Sequence, residues 1–149
     1  MQPADPDFRR RVRASFDRQS VMKTMGIEIL RLEAGEIELA MGHEPSLTQQ
    51  HGFLHAGVVA TALDSACGYA AFSMMPADAA VLTVEFKVNL LAPAKGERFL
   101  FRAEVVKPGR TLTVCEARAY AVAAGGDERL IATMTGTLMA VFDRPGVSQ

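Results

Sequence analysis

A single charged side chain, Asp64, interrupts an otherwise apolar run from Ala56 to Met75. A helix that is apolar around its whole circumference has to be surrounded by protein. An unpaired carboxylate in such a place is expensive, so it is normally paired, protonated or functional. Asp64 is therefore a candidate general base that activates a water, or a nucleophile that attacks directly, and the residues alone leave both routes open.

The loop before this run supplies the complementary chemistry. It contains His51, Gly52, His55 and Gly57, and it leads into the start of the predicted helix. The start of a helix offers unpaired backbone N–H groups and the positive end of the helix dipole. Gly57 has no Cβ, so a substrate carbonyl can approach the backbone there. A polarised carbonyl beside an activated water is what acyl hydrolysis needs.

The spacing of Gly57 and Asp64 predicts more than one copy of the chain at the site. Seven residues of helix span about 10 Å along the axis, which is too far for one carbonyl and the water that attacks it. If both residues lie in one helix and act in one reaction, they come from different copies. A small and polar stripe on this helix suits close approach by a partner helix or a substrate; it consists of Gly57, Thr61, Asp64, Ser65 and Gly68.

The elements that hold these residues follow from the apolar pattern. The run predicts a helix of about 20 residues and about 30 Å, which is long enough for a membrane span. Asp64 near its middle and the lack of a second such segment favour a helix buried in a soluble protein instead. Before it, Pro3 to Met25 predicts one amphipathic helix. Ile27 to Leu32 and Glu36 to Met41 predict a hairpin that turns at Ala34-Gly35.

Four long strands are predicted after the central helix. The first has an apolar alternation that predicts a core face, formed by Leu82, Val84, Phe86, Val88 and Leu90. The others are Arg98 to Val106, Arg110 to Val122 and Arg129 to Phe142. The second-last strand has one face of small residues that leaves room for the helix, namely Thr111, Thr113, Cys115, Ala117, Ala119 and Ala121. This order predicts an α+β fold with an antiparallel sheet curled round one central helix.

Chain length and net charge limit the possible functions. The 149 residues predict one domain, and the net charge of −1 gives no basic field for nucleic acid. Cys67 and Cys115 lie far apart in apolar stretches, which predicts buried thiols rather than a disulfide or a metal site. The polar, Arg-rich start of the chain lacks a secretory signal. We therefore expect a cytoplasmic protein without a membrane partner.

The motif His55-Ala56-Gly57, with Asp64 seven residues after the glycine, resembles the hotdog-fold acyl-CoA thioesterases, and in particular the phenylacetate-pathway branch. The resemblance covers about residues 20 to 142. Family members usually have glycine at the position of Ala56, and an asparagine at the position of Gln49. The long strand after the helix begins at Thr83 and ends in Pro93-Ala94, as in the family.

This resemblance implies a fold, a reaction and a division of labour. The fold is a curved antiparallel sheet wrapped round the central helix, with an N-terminal helical segment at 1–25, the thioesterase domain at 26–142 and a tail at 143–149. The reaction is hydrolysis of an acyl-CoA thioester. Gln49, His55 and Gly57 of one subunit would face Asp64 and Thr83 of its partner in a homodimer, which can assemble further into a tetramer.

Further side chains are candidates for binding the substrate. The residues expected to contact the acyl group or the adjoining part of the substrate are Gln50, His51, Phe53, Leu54, Val58, Ser65 and Tyr69. The coenzyme A phosphates need cations, and Lys107 and Arg110 are the first candidates, followed by Lys87, Lys95 and Arg98. Coenzyme A is part of the substrate, so no separate cofactor and no metal are expected.

Structural roles compete with these functional ones. Asp64 can pair with a buried arginine, His55 can cap the helix, Gly57 can serve packing, and Thr83 can be an ordinary strand residue. Either Gln49 or Gln50 can replace the family's asparagine. At the level of the protein, the alternatives are an acyl-CoA-binding protein without catalysis and a hotdog-fold hydratase or dehydratase.

Overall fold

One long helix packs against a six-stranded antiparallel sheet in the computed structural model, which describes residues 1–149. The elements in chain order are α1 (Phe8–Arg18), α2 (Ser20–Met25), β1 (Glu28–Glu33), β2 (Glu36–Gly42), a 3₁₀ helix (Pro45–Leu47), α3 (Ala56–Phe72), β3 (Ala80–Leu90), β4 (Arg98–Lys107), β5 (Leu112–Val122) and β6 (Glu128–Val141). The strands lie in the order β1-β2-β4-β5-β6-β3, so β1 and β3 are the edges. The predicted α+β hotdog fold is confirmed.

The central helix α3 ends at Phe72, three residues before the predicted end at Met75. The hydroxyl of Ser73 donates to the carbonyl of Ala70 at 2.7 Å, which competes with the continuation of the helix. Pro76 also disfavours a helical conformation at Met75. No helix of the structure is both long and apolar enough to cross a membrane.

The predicted single N-terminal helix is wrong, because the structure has two short helices. Gln19 separates α1 from α2 with an extended backbone (φ −81°, ψ 98°). In one continuous helix, Phe16 and Met22 would point about 120° apart. The break allows both side chains to be buried, at 7% and 1% exposure.

The small face of β5 lies under α3 as predicted. Thr113, Cys115 and the alanines at 117, 119 and 121 are buried, and α3 contacts β5 directly. Thr111 precedes the strand and is exposed. Both cysteines are free and buried, as predicted; burial raises the pKa of the Cys115 thiol to about 12. Small strand residues therefore let the helix approach the sheet closely.

The predicted core face of β3 is wrong in two respects. A bulge between Thr83 and Glu85 changes the alternation, so that Thr83 shares its face with Phe86 and Leu90, while Leu82 lies on the other face. The strand is also largely exposed: Val84 is 52% and Leu90 55% exposed. The reason is that β3 is an edge strand, paired only with β6. An exposed apolar edge strand is a surface on which another chain can pair.

Candidate functional site on the central helix

The predicted small and polar stripe is the open side of α3. Gly57 is exposed, and Thr61, Asp64 and Gly68 are half-buried, whereas most of the helix from Val59 onward is buried. Ser65, the remaining member, is 7% exposed. The side chains with chemical potential on this helix therefore lie where a ligand or a second chain can reach them.

Asp64 contacts Thr83, a residue in the exposed part of β3. The hydroxyl of Thr83 donates to Oδ1 of Asp64 at 2.8 Å. The second oxygen, Oδ2, accepts no hydrogen bond within the chain. No arginine or lysine pairs with the carboxylate, so the structural alternative of a buried ion pair is not what the chain forms. Asp64 keeps one free acceptor.

Burial makes this carboxylate more basic. Removal from water raises the pKa of Asp64 above its ordinary value, and the hydrogen bond from Thr83 lowers it by less. A group that is half-buried, lacks a counter-charge and has a raised pKa is better suited to take a proton than an exposed aspartate. The free oxygen of this carboxylate can therefore accept a proton.

His55 caps the start of α3 with its own imidazole. Its Nδ1 accepts the N–H of Gly57 at 2.8 Å. A Cβ at Gly57 would lie 3.1 Å from that nitrogen, so the glycine leaves room for the ring. In this structure the N–H of Gly57 is consequently occupied, and His55 has the capping role that was the structural alternative for it.

The free backbone donor at the start of α3 is one residue earlier. Val58 and Val59 donate to the carbonyl of His55, at 2.9 and 3.2 Å, and Gly57 donates to the His55 ring. The N–H of Ala56 has no partner within the chain. Ala56 is also exposed. Of the first four N–H groups of the helix, this one is available to a ligand.

The amide of Gln49 is oriented by its own loop. Its Oε1 accepts the N–H groups of His51 at 2.5 Å and Phe53 at 3.3 Å. Both Nε2 hydrogens therefore remain free to donate. Gln50 is exposed and makes no side-chain hydrogen bond, and His51 is exposed as well. Of the two glutamines, Gln49 is the one that the fold holds in a fixed orientation.

A large pocket lies between this loop and the segment that follows β3. We call it the loop pocket; its volume is about 610 Å³, and it is lined by Gln49, Gln50, Phe53, Leu54, His55, Ala56, Val59, Leu90, Leu91, Ala92, Pro93, Ala94 and Ile131. The N–H of Leu54 donates to the carbonyl of Ala94 at 3.1 Å, which joins the two walls. His51 and Val58 do not line this pocket.

A second, smaller opening surrounds Asp64. We call it the Asp64 cleft; its volume is about 90 Å³, and it is lined by Gln19, Asp64, Ser65, Gly68, Tyr69, Val81, Thr83 and Gln149. Its walls come from the N-terminal helices, from α3, from β3 and from the end of the described chain. Most of the lining side chains are polar, in contrast to the loop pocket.

The fold brings the predicted residues together in two groups. Gln49, His55 and Gly57 lie at the start of α3, whereas Asp64, Ser65 and Thr83 lie two turns further along. The helix runs without interruption from Ala56 to Phe72, so the two groups are about 10 Å apart along its axis. One copy of the chain does not bring them into one reaction centre.

The candidate phosphate ligands are exposed and lie at both ends of the sheet. Lys107 and Arg110 flank the β4–β5 turn, at the end of the sheet that also carries Thr83. Lys95 and Arg98 lie at the end that carries the loop pocket, about 35 Å away along β6. Lys87 lies in the exposed middle of β3, on the face opposite Thr83.

Sequence reasoning missed several residues of both openings. The missed lining residues are Gln19, Ala56, Val59, Val81, Leu91, Ala92, Ile131 and Gln149. Ala56 had a signal, since it is the first residue after the helix-capping His55. Gln19 and Gln149 are far from α3 in sequence, and no local pattern indicates that they reach it.

Comparison with known proteins gives one consistent family. The family model of the thioesterase superfamily matches residues 51–124. A crystal structure of a thioesterase family protein from Silicibacter pomeroyi is 66% identical, covers 91% of this chain and 98% of its own, and superposes with a TM-score of 0.89.

Of two curated relatives, one is named only as an esterase and the other by its substrate class. A protein of Saccharolobus solfataricus named "Putative esterase" is 34% identical over 80% of this chain and 76% of its own length. The medium/long-chain acyl-CoA thioesterase YigI of Escherichia coli is 26% identical over 78% of this chain and 83% of its own.

Proposed function

This chain belongs to the thioesterase superfamily, and on that premise we propose that it hydrolyses an acyl-CoA thioester to a free acid and coenzyme A. The observation that carries the proposal is Asp64, a half-buried carboxylate with a raised pKa, one oxygen held by Thr83 and the other free. Acyl-CoA as the substrate class is supported by the name of the curated relative YigI.

Asp64 acts on the water that attacks the thioester. Its free Oδ2 accepts a proton from the water, the water oxygen bonds to the carbonyl carbon, and the carbon–sulfur bond breaks. The proton passes to the departing sulfur, so that free acid and thiol leave together. Direct attack by Oδ2, with water hydrolysing the resulting anhydride, uses the same free oxygen and remains the second route.

The start of α3 stabilises the negative charge that develops on the carbonyl oxygen. Ala56 offers an unpaired N–H at the positive end of the helix dipole, and Gln49 offers its free Nε2 hydrogens. His55 fixes the first turn, and Gly57 gives its ring the space it needs. Gly57 becomes a donor itself only when the imidazole turns away.

The reaction centre requires two copies of the chain. Because Asp64 lies about 10 Å along the helix from the donors, the carbonyl bound at one copy's helix start is attacked from Asp64 of a second copy. The edge strand β3 supports such a dimer, since 11 residues are paired on one side only and its apolar side chains are exposed. Antiparallel pairing of two β3 strands extends the sheet and covers these residues.

The phosphates of coenzyme A need cations where the substrate reaches the protein surface. Lys107 and Arg110 are free of salt bridges and stand on the Thr83 end of the sheet, so in the dimer they belong to the copy that supplies Asp64. Lys95 and Arg98 stand on the loop-pocket end. Exposed cations hold phosphates through charge rather than through a preformed cradle.

The test is release of free thiol from a panel of acyl-CoA esters. Asp64→Asn keeps the size of the side chain and the hydrogen bond from Thr83, but it removes the base. We expect turnover to fall by about 10²–10⁴-fold, with the fold retained. Asp78→Asn is the matched control, because Asp78 is exposed and forms no hydrogen bond.

The outcome also separates the alternatives. Binding of acyl-CoA without thiol release by the wild type would identify a binding protein. Hydration of an enoyl-CoA without thiol release would identify a hydratase. Wild-type turnover in Asp64→Asn would remove the proposal, because no other carboxylate lines the cleft.

A further inference from the structure

The walls of the Asp64 cleft are joined by hydrogen bonds outside the catalytic pair. The hydroxyl of Ser65 donates to Oε1 of Gln19 at 3.3 Å. The hydroxyls of Tyr69 and Ser15 lie 3.2 Å apart, and Gln149 donates its Nε2 to Ser15 at 3.0 Å. The N–H of Val81 donates to Oε1 of Gln149 at 3.2 Å. Hydrogen bonds therefore hold the side chains around the cleft in place.

Gln19 is the member of this wall whose side-chain amide nitrogen makes no hydrogen bond. Its carbonyl oxygen is held by Ser65, while its Nε2 has no partner within the chain. The backbone at Gln19 is extended between α1 and α2, and this break carries the side chain to the cleft. Gln19 lies outside residues 51–124, the part that matches the family model.

The two openings differ in which part of an acyl-CoA they can take. Coenzyme A carries charged phosphates that must stay in water, so its arm needs a wide path that opens beside cations. The loop pocket has a volume of about 610 Å³, and Arg129 donates to the carbonyl of Pro93 in its wall at 3.0 Å. The Asp64 cleft has a volume of about 90 Å³. The arm fits the first opening, and this leaves the second for the acyl group.

The size and polarity of the cleft then define the acyl group. The cleft, at about 90 Å³, is much smaller than the loop pocket, at about 610 Å³, so it suits a shorter group. Asp64 and Thr83 are assigned to the thioester, and Gln19 lines the same cleft. A free amide donor that meets only methylene groups loses the hydrogen bond it makes to water.

We propose that the Asp64 cleft is the acyl subsite, and that Gln19 selects short acyl groups bearing an oxygen that accepts its Nε2 hydrogen bond. This inference rests on the proposed function and extends it to the substrate class. The N-terminal helices thereby become part of the specificity of the enzyme.

The test compares two substrates that differ by one hydroxyl group, butanoyl-CoA and 3-hydroxybutanoyl-CoA, by their kcat/KM values. The wild type should prefer the hydroxylated ester by about three- to tenfold, as one hydrogen bond allows. Gln19→Leu and Gln19→Glu each remove the donor, and the ratio should move to about one in both. Ser20→Ala, at the neighbouring exposed position, should keep the wild-type ratio.

A change in overall stability lowers the activity on both esters and leaves their ratio unchanged, so the ratio reports the contact itself. A wild-type ratio of one or below, or an unchanged ratio in both Gln19 variants, would overturn the inference. If Asp64→Asn abolishes turnover but the Gln19 variants keep the wild-type ratio of kcat/KM values, only the subsite assignment fails. If Asp64→Asn retains turnover on both esters, the proposed function fails first.

Discussion

In the proposed mechanism, the start of α3 and its middle carry opposite halves of one reaction. At the start, the N–H of Ala56 and the Nε2 of Gln49 are donors without partners. In the middle, Oδ2 of Asp64 is an acceptor without a partner. Each half is held in place by a neighbour, His55 in one case and Thr83 in the other. Neither half can complete acyl transfer alone.

The distance between the two halves keeps Asp64 away from the positive end of the helix dipole. The helix dipole stabilises negative charge at the first turn and fades beyond it. The carbonyl oxygen, which becomes negative, benefits from that position. Asp64 lies two turns away, so the dipole does not stabilise its anion, and burial keeps its pKa raised. One helix thus carries both an anion site and a basic carboxylate, and in the proposed dimer these two act on different substrate molecules.

At the helix start, the largest expected effect comes from removing the free backbone donor. Ala56→Pro deletes one N–H and fits the local backbone, because proline is favoured at the first helical position. His55 before it already has φ −59° and ψ 140°, the conformation that a residue before proline prefers. Loss of one oxyanion donor should lower kcat by about 10²–10³-fold, measured by thiol release.

Ala56→Val is the control for this variant, because it adds comparable bulk and keeps the N–H. It should retain most of the turnover. Equal losses in the proline and valine variants would mean that bulk alone matters. Full activity in Ala56→Pro would instead assign the donor to Gly57, with His55 turned away during the reaction.

Subunit exchange between two inactive variants tests whether the two halves meet between chains. Ala56→Pro destroys the start of α3 and Asp64→Asn destroys the middle, so each variant alone should be nearly inactive. A mixed dimer places both defects in one site and leaves the other site intact. After random subunit exchange, activity should recover to about one quarter of wild type, because half of the dimers are mixed and each has one working site.

Exchange must be followed independently, with two different affinity tags. Each variant mixed with a tagged copy of itself is the control and should stay inactive. Demonstrated exchange without recovery would contradict the two-chain site. It would require Asp64 and the helix start of one chain to act together despite their separation.

Patterns in the sequence predicted the features that depend on local chemistry. The apolar run, the capping residue before it and the alanine face of β5 each express a local rule, so α3, the sheet and their contact were predictable. The Asp64 and Thr83 contact was predictable only through the resemblance, because the two residues are 19 positions apart. The single helix at 3–25 failed because no glycine or proline marks the break at Gln19.

Other features depend on the tertiary arrangement and leave no mark in the sequence. The alternation in β3 is that of a half-buried strand, yet the strand is an edge and is bulged at Thr83. Which N–H at the helix start stays free depends on the rotamer of His55. Gln19 and Gln149 reach the cleft only because the N-terminal helices and the end of the chain fold back over α3.

The smallest expected effect is on folding stability, which the ionised, half-buried carboxylate of Asp64 lowers. Burial raises the pKa of Asp64 above its ordinary value of 3.8, so the folded protein holds that proton more tightly than the unfolded chain does. Below pH 3.8 both states are protonated at this residue, and the folded state gains its full stability from it. As the pH rises through the folded-state pKa, that stability is lost.

The side chain introduced by Asp64→Asn stays neutral throughout, so this variant should unfold at a higher Tm than the wild type at pH 7 and lose the advantage as the pH falls towards 3.8. Thermal unfolding monitored by circular dichroism across this range measures the difference, and Asp78→Asn should show none. A variant less stable than the wild type at pH 7 would mean that the ionised carboxylate stabilises the fold. The middle of α3 would then be a structural site rather than one held ready to take a proton, and the contrast with the helix start would lose its basis.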